Sequence, residues 1–119
     1  EGVDGYEMLQ TVLSAGKNKL KLVNLANISI RTGGGIFISD FLADNPIMEY
    51  LGLSSNELDN NDAVAIADAL KHNTNLRTLN VRNNNISRIG WEALRKVEFD
   101  DTSLNSVADS NHTCYIKYP

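Results

Sequence analysis

Asp109, Ser110, His112 and Cys114 fall within six residues of one another. A hydroxyl or thiol beside an imidazole is the pairing that nucleophilic catalysis uses, and His and Cys are also metal-ligand types. No further ligands stand at the spacing a metal site needs, and the other histidine, His72, lies far along the chain. Asp59-Asn60-Asn61-Asp62 offers the hard oxygen atoms that calcium takes, without the twelve-residue loop and closing glutamate of a calcium-binding turn. Thr32-Gly33-Gly34-Gly35 stands where a strand would run into a helix, a place where free N–H groups can hold phosphate. No Lys-Ser/Thr follows it, and G-x-G-x-x-G is absent. Asn27-Ile28-Ser29, Asn85-Ile86-Ser87 and Asn111-His112-Thr113 have the form of glycosylation sequons.

The elements that must position these groups give most of them a simpler role. Leu76, Leu79, Val81, Asn84 and Ile86 fit the pattern L-x-x-L-x-L-x-x-N-x-L. Stepping back 28 residues gives Met48, Leu51, Leu53, Asn56 and Leu58, a second fit; a further 28 gives Leu20, Val23, Leu25, Ile28 and Ile30, with Asn27 one place early. Stepping forward 28 gives Leu104, Val107, Asp109, His112 and Cys114, a degenerate copy with Asn111 one place early. In this register His112 takes an asparagine slot and Cys114 an aliphatic one, where a buried thiol acts as a small apolar group. Gly34, Asp62 and Gly90 share the slot where a turn enters a helix, so the glycine run and the Asp/Asn run read as turn and cap residues. Two of the sequons arise from the repeat consensus itself.

The second half of each unit has helical spacing: Ile38, Phe41 and Leu42 within 34–42, Ala63, Ile66, Ala67 and Leu70 within 62–71, and Trp91, Leu94 and Val97 within 90–97. Trp91 reads as core bulk at a helix start. Residues 7–15, with Met8, Leu9, Val12 and Leu13, read as a further helix. Short strands alternating with helices predict an α/β right-handed solenoid, with a parallel sheet on the concave face and helices on the convex face. The whole chain is one domain: 1–19 an N-terminal helix, cap or partial repeat, 20–47, 48–75 and 76–103 repeats, and 104–119 a degenerate terminal half-repeat. Asn56 and Asn84, just past their strands, can bond the turn backbones of neighbouring units.

These motifs resemble the leucine-rich repeat superfamily over about residues 20–116, and the 28-residue unit is similar to the ribonuclease-inhibitor type. The stretches 102–107 and 110–114 also resemble leucine-rich repeat proteins of marine microalgae. The resemblance implies a protein-recognition scaffold; Ran GTPase-activating proteins share the type, so regulation of a small GTPase is the alternative it implies.

Composition agrees with a globular domain: 119 residues, 42% hydrophobic and 22% charged. A net charge of −4 disfavours nucleic acid and anionic membrane as the main partner. A single cysteine and no secretory signal in view favour a cytoplasmic setting. Along the strands Leu22, Asn24, Tyr50, Thr78, Asn80 and Arg82 point to the concave face, with Leu22 and Tyr50 side by side and Arg77 nearby. Tyrosine and arginine are enriched at interface hot spots. The last unit adds Ser106, Ala108, Ser110 and Asn111. The acids Asp40, Asp44, Asp68, Glu92 and Glu98 gather on the helix side. The expectation is a non-catalytic module, without cofactor or metal, that binds a protein through its sheet, with self-association through the C-terminal edge strand.

Overall fold

The computed structural model describes residues 4–98 and 114–119. Among the described residues four helices alternate with four three-residue strands: α1 Gly5–Gly16, β1 Leu22–Asn24, α2 Phe37–Ala43, β2 Tyr50–Gly52, α3 Asn60–Leu70, β3 Thr78–Asn80, α4 Arg88–Glu98 and β4 Tyr115–Lys117. The strands form one parallel sheet in chain order. Three residues suffice for each strand because the ladder runs across the units. Val23, Leu51, Leu79 and Ile116 lie in one register row and are all buried. Leu25, Leu53 and Val81 continue the core beyond the strands, and Ile30, Leu58 and Ile86 close it at the turns. From the other layer, the equivalent helix positions Ile38, Ile66 and Leu94 face them, as do Phe41, Ala69 and Val97. Burying each of the larger aliphatic side chains contributes about 1.5–3 kcal/mol, and no unit holds enough of them to stand alone. Leu20, which opens the first copy of the motif, is exposed, whereas its counterparts Met48 and Leu76 are fully buried.

Asparagine amides join the units at the turns. The Asn56 Oδ1 accepts from the N–H groups of Ile28 (3.1 Å) and Ile30 (2.9 Å). Its Nδ2 donates to the carbonyls of Leu25 (3.0 Å), Leu53 and Ser54 (both 3.1 Å). Asn84 repeats this one unit on, accepting from Leu58 N–H and donating to Leu53, Val81 and Arg82 carbonyls. A second line of amides runs through the return loops. Fully buried Asn73 donates to the Leu42 carbonyl and accepts from Asn75 and Leu76 N–H groups. Asn75 reaches back to the Pro46 carbonyl.

The helix starts depart from the periodicity by a few residues, each for a local reason. Gly33 and Gly34 have φ of +60° and +88°, the left-handed region that glycine enters without a Cβ clash. The chain therefore keeps turning, and α2 starts at Phe37 rather than Gly34. α3 starts at Asn60, earlier than the periodicity indicates, because Asp59 is its N-cap and Asp62, readable from sequence as a cap or a first-turn acid, is the first-turn acid. The Asp59 carboxylate accepts from Asp62 N–H (3.1 Å), and the Asp62 carboxylate accepts from Asp59 N–H (2.9 Å), a reciprocal capping box. α4 borrows its cap from the preceding unit: the Asn60 Oδ1 accepts from Ser87 and Gly90 N–H groups.

The C-terminal register is corrected by the structure. A constant step of 28 put the last strand at 104–109, residues outside those described. The strand paired with β3 is Tyr115–Lys117, 37 residues beyond its partner, with Thr78 opposite Tyr115 and Asn80 opposite Lys117. Cys114, assigned to the far aliphatic slot, is buried immediately before that strand. Tyr118 stacks on Trp91 at 4.8 Å between ring centroids and 18° between planes. Trp91 is thus a half-buried platform for the tail rather than core bulk within its own unit.

Two substitutions separate the roles. Leu79→Ala removes a fully buried side chain and is expected to cost about 2–5 kcal/mol, against under about 1 kcal/mol for neighbouring Asn80→Ala. Asn56→Ala strands several buried backbone groups, each worth about 1–3 kcal/mol, and should cost at least as much as Leu79→Ala in urea unfolding. Equal losses at Leu79 and Asn80 would mean that the inward and outward faces are misassigned.

Candidate protein-binding face

The ladder register fixes which side chains share the outer face. One row across the sheet is Leu22, Tyr50, Thr78 and Tyr115; the next is Asn24, Gly52, Asn80 and Lys117. Beyond the strands, Ala26, Ser54 and Arg82 follow, then Asn27, Ser55 and Asn83. Asn27, Ser55 and Asn83 have φ near +58° and turn the chain back toward the helix layer. Leu22 is 64% exposed and Tyr115 55% exposed. Leu22, Asn24, Tyr50, Thr78 and Asn80 fall in these strand rows, Arg82 follows two residues past β3, and Leu22 and Tyr50 are register partners.

Gly52 shapes the centre of the face. A Cβ there would stand 2.8 Å from Asn24 Oδ1 and 3.1 Å from Tyr50 Cε2. The missing side chain lets the Tyr50 ring and the Asn24 amide lie over the strand, which leaves Tyr50 partly shielded and Gly52 buried. Asn24 and Asn80 each accept from the N–H two residues on, at Ala26 and Arg82, so these amides are held before any partner arrives.

Tyr115 and Lys117 belong to the face and are missed by a constant repeat step. Their signal is the alternation of Tyr115-Ile116-Lys117, exposed, buried and half-exposed, which marks a strand without needing the repeat. Ser106, Ala108, Ser110 and Asn111, assigned to the face from sequence, lie outside the described residues.

The acids Asp40, Asp44, Asp68 and Glu92 lie on the helix side, and three are ion-paired there: Asp44 with Lys17, Asp68 with Lys71 and Glu92 with Arg88. A shallow groove of about 540 Å³ opens between α1 and α2, lined by Phe37, Phe41 and the Lys17–Asp44 pair.

Asp109, Ser110 and His112 lie outside the described residues, Cys114 is buried, and His72 is exposed on the turn after α3. Among the described residues no three His, Cys, Asp or Glu side chains are placed to hold a metal ion, and no helix is long and apolar enough to cross a membrane. Asp62 is engaged with its neighbours instead: its Oδ1 accepts from the Thr32 hydroxyl at 2.5 Å, across to the preceding unit. Burial pushes its carboxyl above the ordinary value near 3.8. The bonds from Thr32 and the Asp59 backbone pull it down, and the Asp59 charge raises it further. Gly33 and Gly34 have open space where a Cβ would stand.

A family described as Leucine Rich repeat matches residues 44–67 and 72–94, which span β2 to α3 and the approach to β3 through α4. Among solved structures the chain is similar to "Leiomodin-1 Actin-Binding Site 2 (ABS2)", with a TM-score of 0.71 and 19% identity. The likeness covers 95% of this chain and 61% of that one, so the chain spans under two thirds of that structure's length. At this identity the shared feature is the fold, an α/β leucine-rich repeat solenoid. No curated protein matches the sequence.

The Asp62 carboxyl carries a pH signature. Its folded pKa lies above its unfolded one, so between the two the native state holds more protons than the unfolded state. Stability from this group is therefore lost as pH rises from near 3.8 through the folded value. Asp62→Asn should flatten that falling segment in urea titrations across the acidic range. An unchanged pH profile in the variant would show that Asp62 titrates as in the unfolded chain.

Proposed function

We propose that this leucine-rich repeat segment is a non-catalytic protein-recognition module of the ribonuclease-inhibitor-like type, built on 28-residue units, that binds its partner on the concave sheet face. The step from Leu22 to Tyr50 to Thr78 along one ladder row supports the unit length. The observation that supports the function is the outward row Leu22–Tyr50–Thr78–Tyr115 on the rigid sheet, in which Leu22 and Tyr115 are exposed and the Tyr50 ring is half-buried. Such preorganisation lowers the ordering cost of binding, and aromatic anchors dominate interface energetics. The similar solved structure is named as an actin-binding site of leiomodin-1, which makes actin the first partner to try. Regulation of a small GTPase is the second reading; two of the exposed arginines that could serve it are already engaged, Arg31 with Glu57 and Arg88 with Glu92.

A photo-crosslinking residue placed at Tyr50 and, separately, at Asp68 should capture actin, or the partner isolated from source extract, from the first position and not the second. Tyr50→Ala with Arg82→Ala should weaken that partner by well over about tenfold, as hot-spot losses of about 2 kcal/mol or more require, with unchanged far-ultraviolet circular dichroism. Asp40→Asn with Asp68→Asn should leave binding intact. Capture from Asp68 alone, or loss in the helix-side pair alone, would place the binding surface on the helices.

A further inference from the structure

The outward face of the sheet differs from the rest of the described surface in lacking acids, and that difference bears on the chemistry of a partner. The chain carries four more acids than bases, 15 against 11, yet the outward rows of the sheet contain no Asp or Glu among the described residues. They do contain two cations, Arg82 and Lys117. Lys117 stands opposite Asn80 in the register, and Arg82 follows Asn80 by two residues. Strand spacings of about 4.8 Å across and 3.3 Å along the chain put the two backbones about 8 Å apart. Elsewhere four cations are ion-paired, Lys17 with Asp44, Arg31 with Glu57, Lys71 with Asp68 and Arg88 with Glu92, while Lys19, Lys21, Arg95 and Lys96 are exposed, so what distinguishes the outward rows is their lack of acids. Arg82 and Lys117 have no ion-pair partner among the described residues. Arg77, exposed just before β3, adds a third positive charge at the rim, with Glu49 the nearest acid along that edge of the sheet.

We infer that the concave face takes an acidic polypeptide segment, with carboxylates over Arg82 and Lys117 and apolar side chains on Leu22, Tyr50 and Tyr115. The inference rests on the reading of that face as the binding surface and adds the chemistry of the occupant. With no carboxylate among its described outward residues, the sheet presents nothing that repels an acidic segment, and Arg82 and Lys117 attract it. A single-stranded nucleic acid also carries negative charge and stacks on tyrosine. It needs a longer basic track than two or three side chains, on a domain of basic overall charge, and Leu22 offers it nothing.

A random peptide library displayed on phage and selected against the immobilised full chain tests this. Enriched clones should combine net negative charge with Leu, Phe, Tyr or Trp. The strongest clone, made as a fluorescent peptide, should bind at least about tenfold more weakly to Arg82→Ala with Lys117→Ala, the variant retaining its circular dichroism. The same peptide with Asn and Gln in place of its acids should bind weakly to both proteins and no longer distinguish them, the signature of a direct charge pair in a double-mutant cycle. Enrichment of neutral or basic clones that still depend on Tyr50 would overturn the charge assignment and leave the face assignment standing. Clones insensitive to Tyr50→Ala and lost in Asp40→Asn with Asp68→Asn would overturn the face assignment itself. An absence of enrichment, or tight binding of a labelled oligouridylate through Arg82 and Lys117 in place of acidic peptides, would also refute the proposal.

Discussion

The Asn56 side chain is the constraint on which the rest depends. A chain that turns sharply after every three-residue strand must bury backbone N–H and C=O groups at each turn, where no ladder reaches them. Water is excluded there by Leu25, Leu53 and Leu58, so the groups need partners inside the protein. One amide, with an acceptor and two donor hydrogens, satisfies the turn of the unit before it and the end of its own strand together. Hydrophobic burial supplies the larger free energy, but it does not fix spacing. The amide does, because its reach sets how closely Ile28 and Ile30 must lie to Leu53 and Ser54. Asn84 imposes the same separation again, and the parallel register follows.

From that spacing the outer face follows with little freedom. Units stacked at one separation put Leu22, Tyr50 and Thr78 in a row, whichever residues they are, and selection then acts on side chains without disturbing the frame. Gly52 shows the interplay: a position that weakens a strand elsewhere here makes room for the Tyr50 ring and the Asn24 amide. The face is therefore flatter at its centre than the residue types suggest, with Leu22 and Tyr115 standing proud at either side. The buried charge at Asp62 belongs to the same economy of turns. It completes a capping box and receives the Thr32 hydroxyl, which links two units at the cost of an unfavourably placed carboxylate.

The repeats were legible because burial is periodic. Leu51, Leu53 and Leu58 recur as Leu79, Val81 and Ile86, and these positions alone specify core, strand direction and outer face. The asparagine role was legible too, since a polar residue amid aliphatic slots has to be bonded. The amides of the return loops were not: Asn73 looks like any turn residue, and its burial becomes visible only when Leu42 is known to lie behind it. Helix starts were displaced where a local conformation outranked periodicity, as at Gly33 and Gly34, or where a cap came from another unit, as Asn60 caps α4. The last strand was lost because a fixed step assumes every connection has equal length. Tyr115 and Lys117 consequently went unseen, although the alternation around Ile116 was present in the residues themselves.

The Trp91–Tyr118 stack ties the C-terminal strand to the last described helix by a means the other strands do not use. β1 to β3 are held by ladder bonds and by amides that reach from unit to unit, so separating them breaks several buried bonds at once. Among residues 114–119 there is no asparagine to reach back; β4 is held by its ladder to β3, by Ile116 in the core and by one ring on another. Tyr115 and Lys117 lie on that strand, so this end of the outer face is tied through Tyr118 to the helix layer behind it, and the position of α4 bears on residues at the opposite side of the sheet.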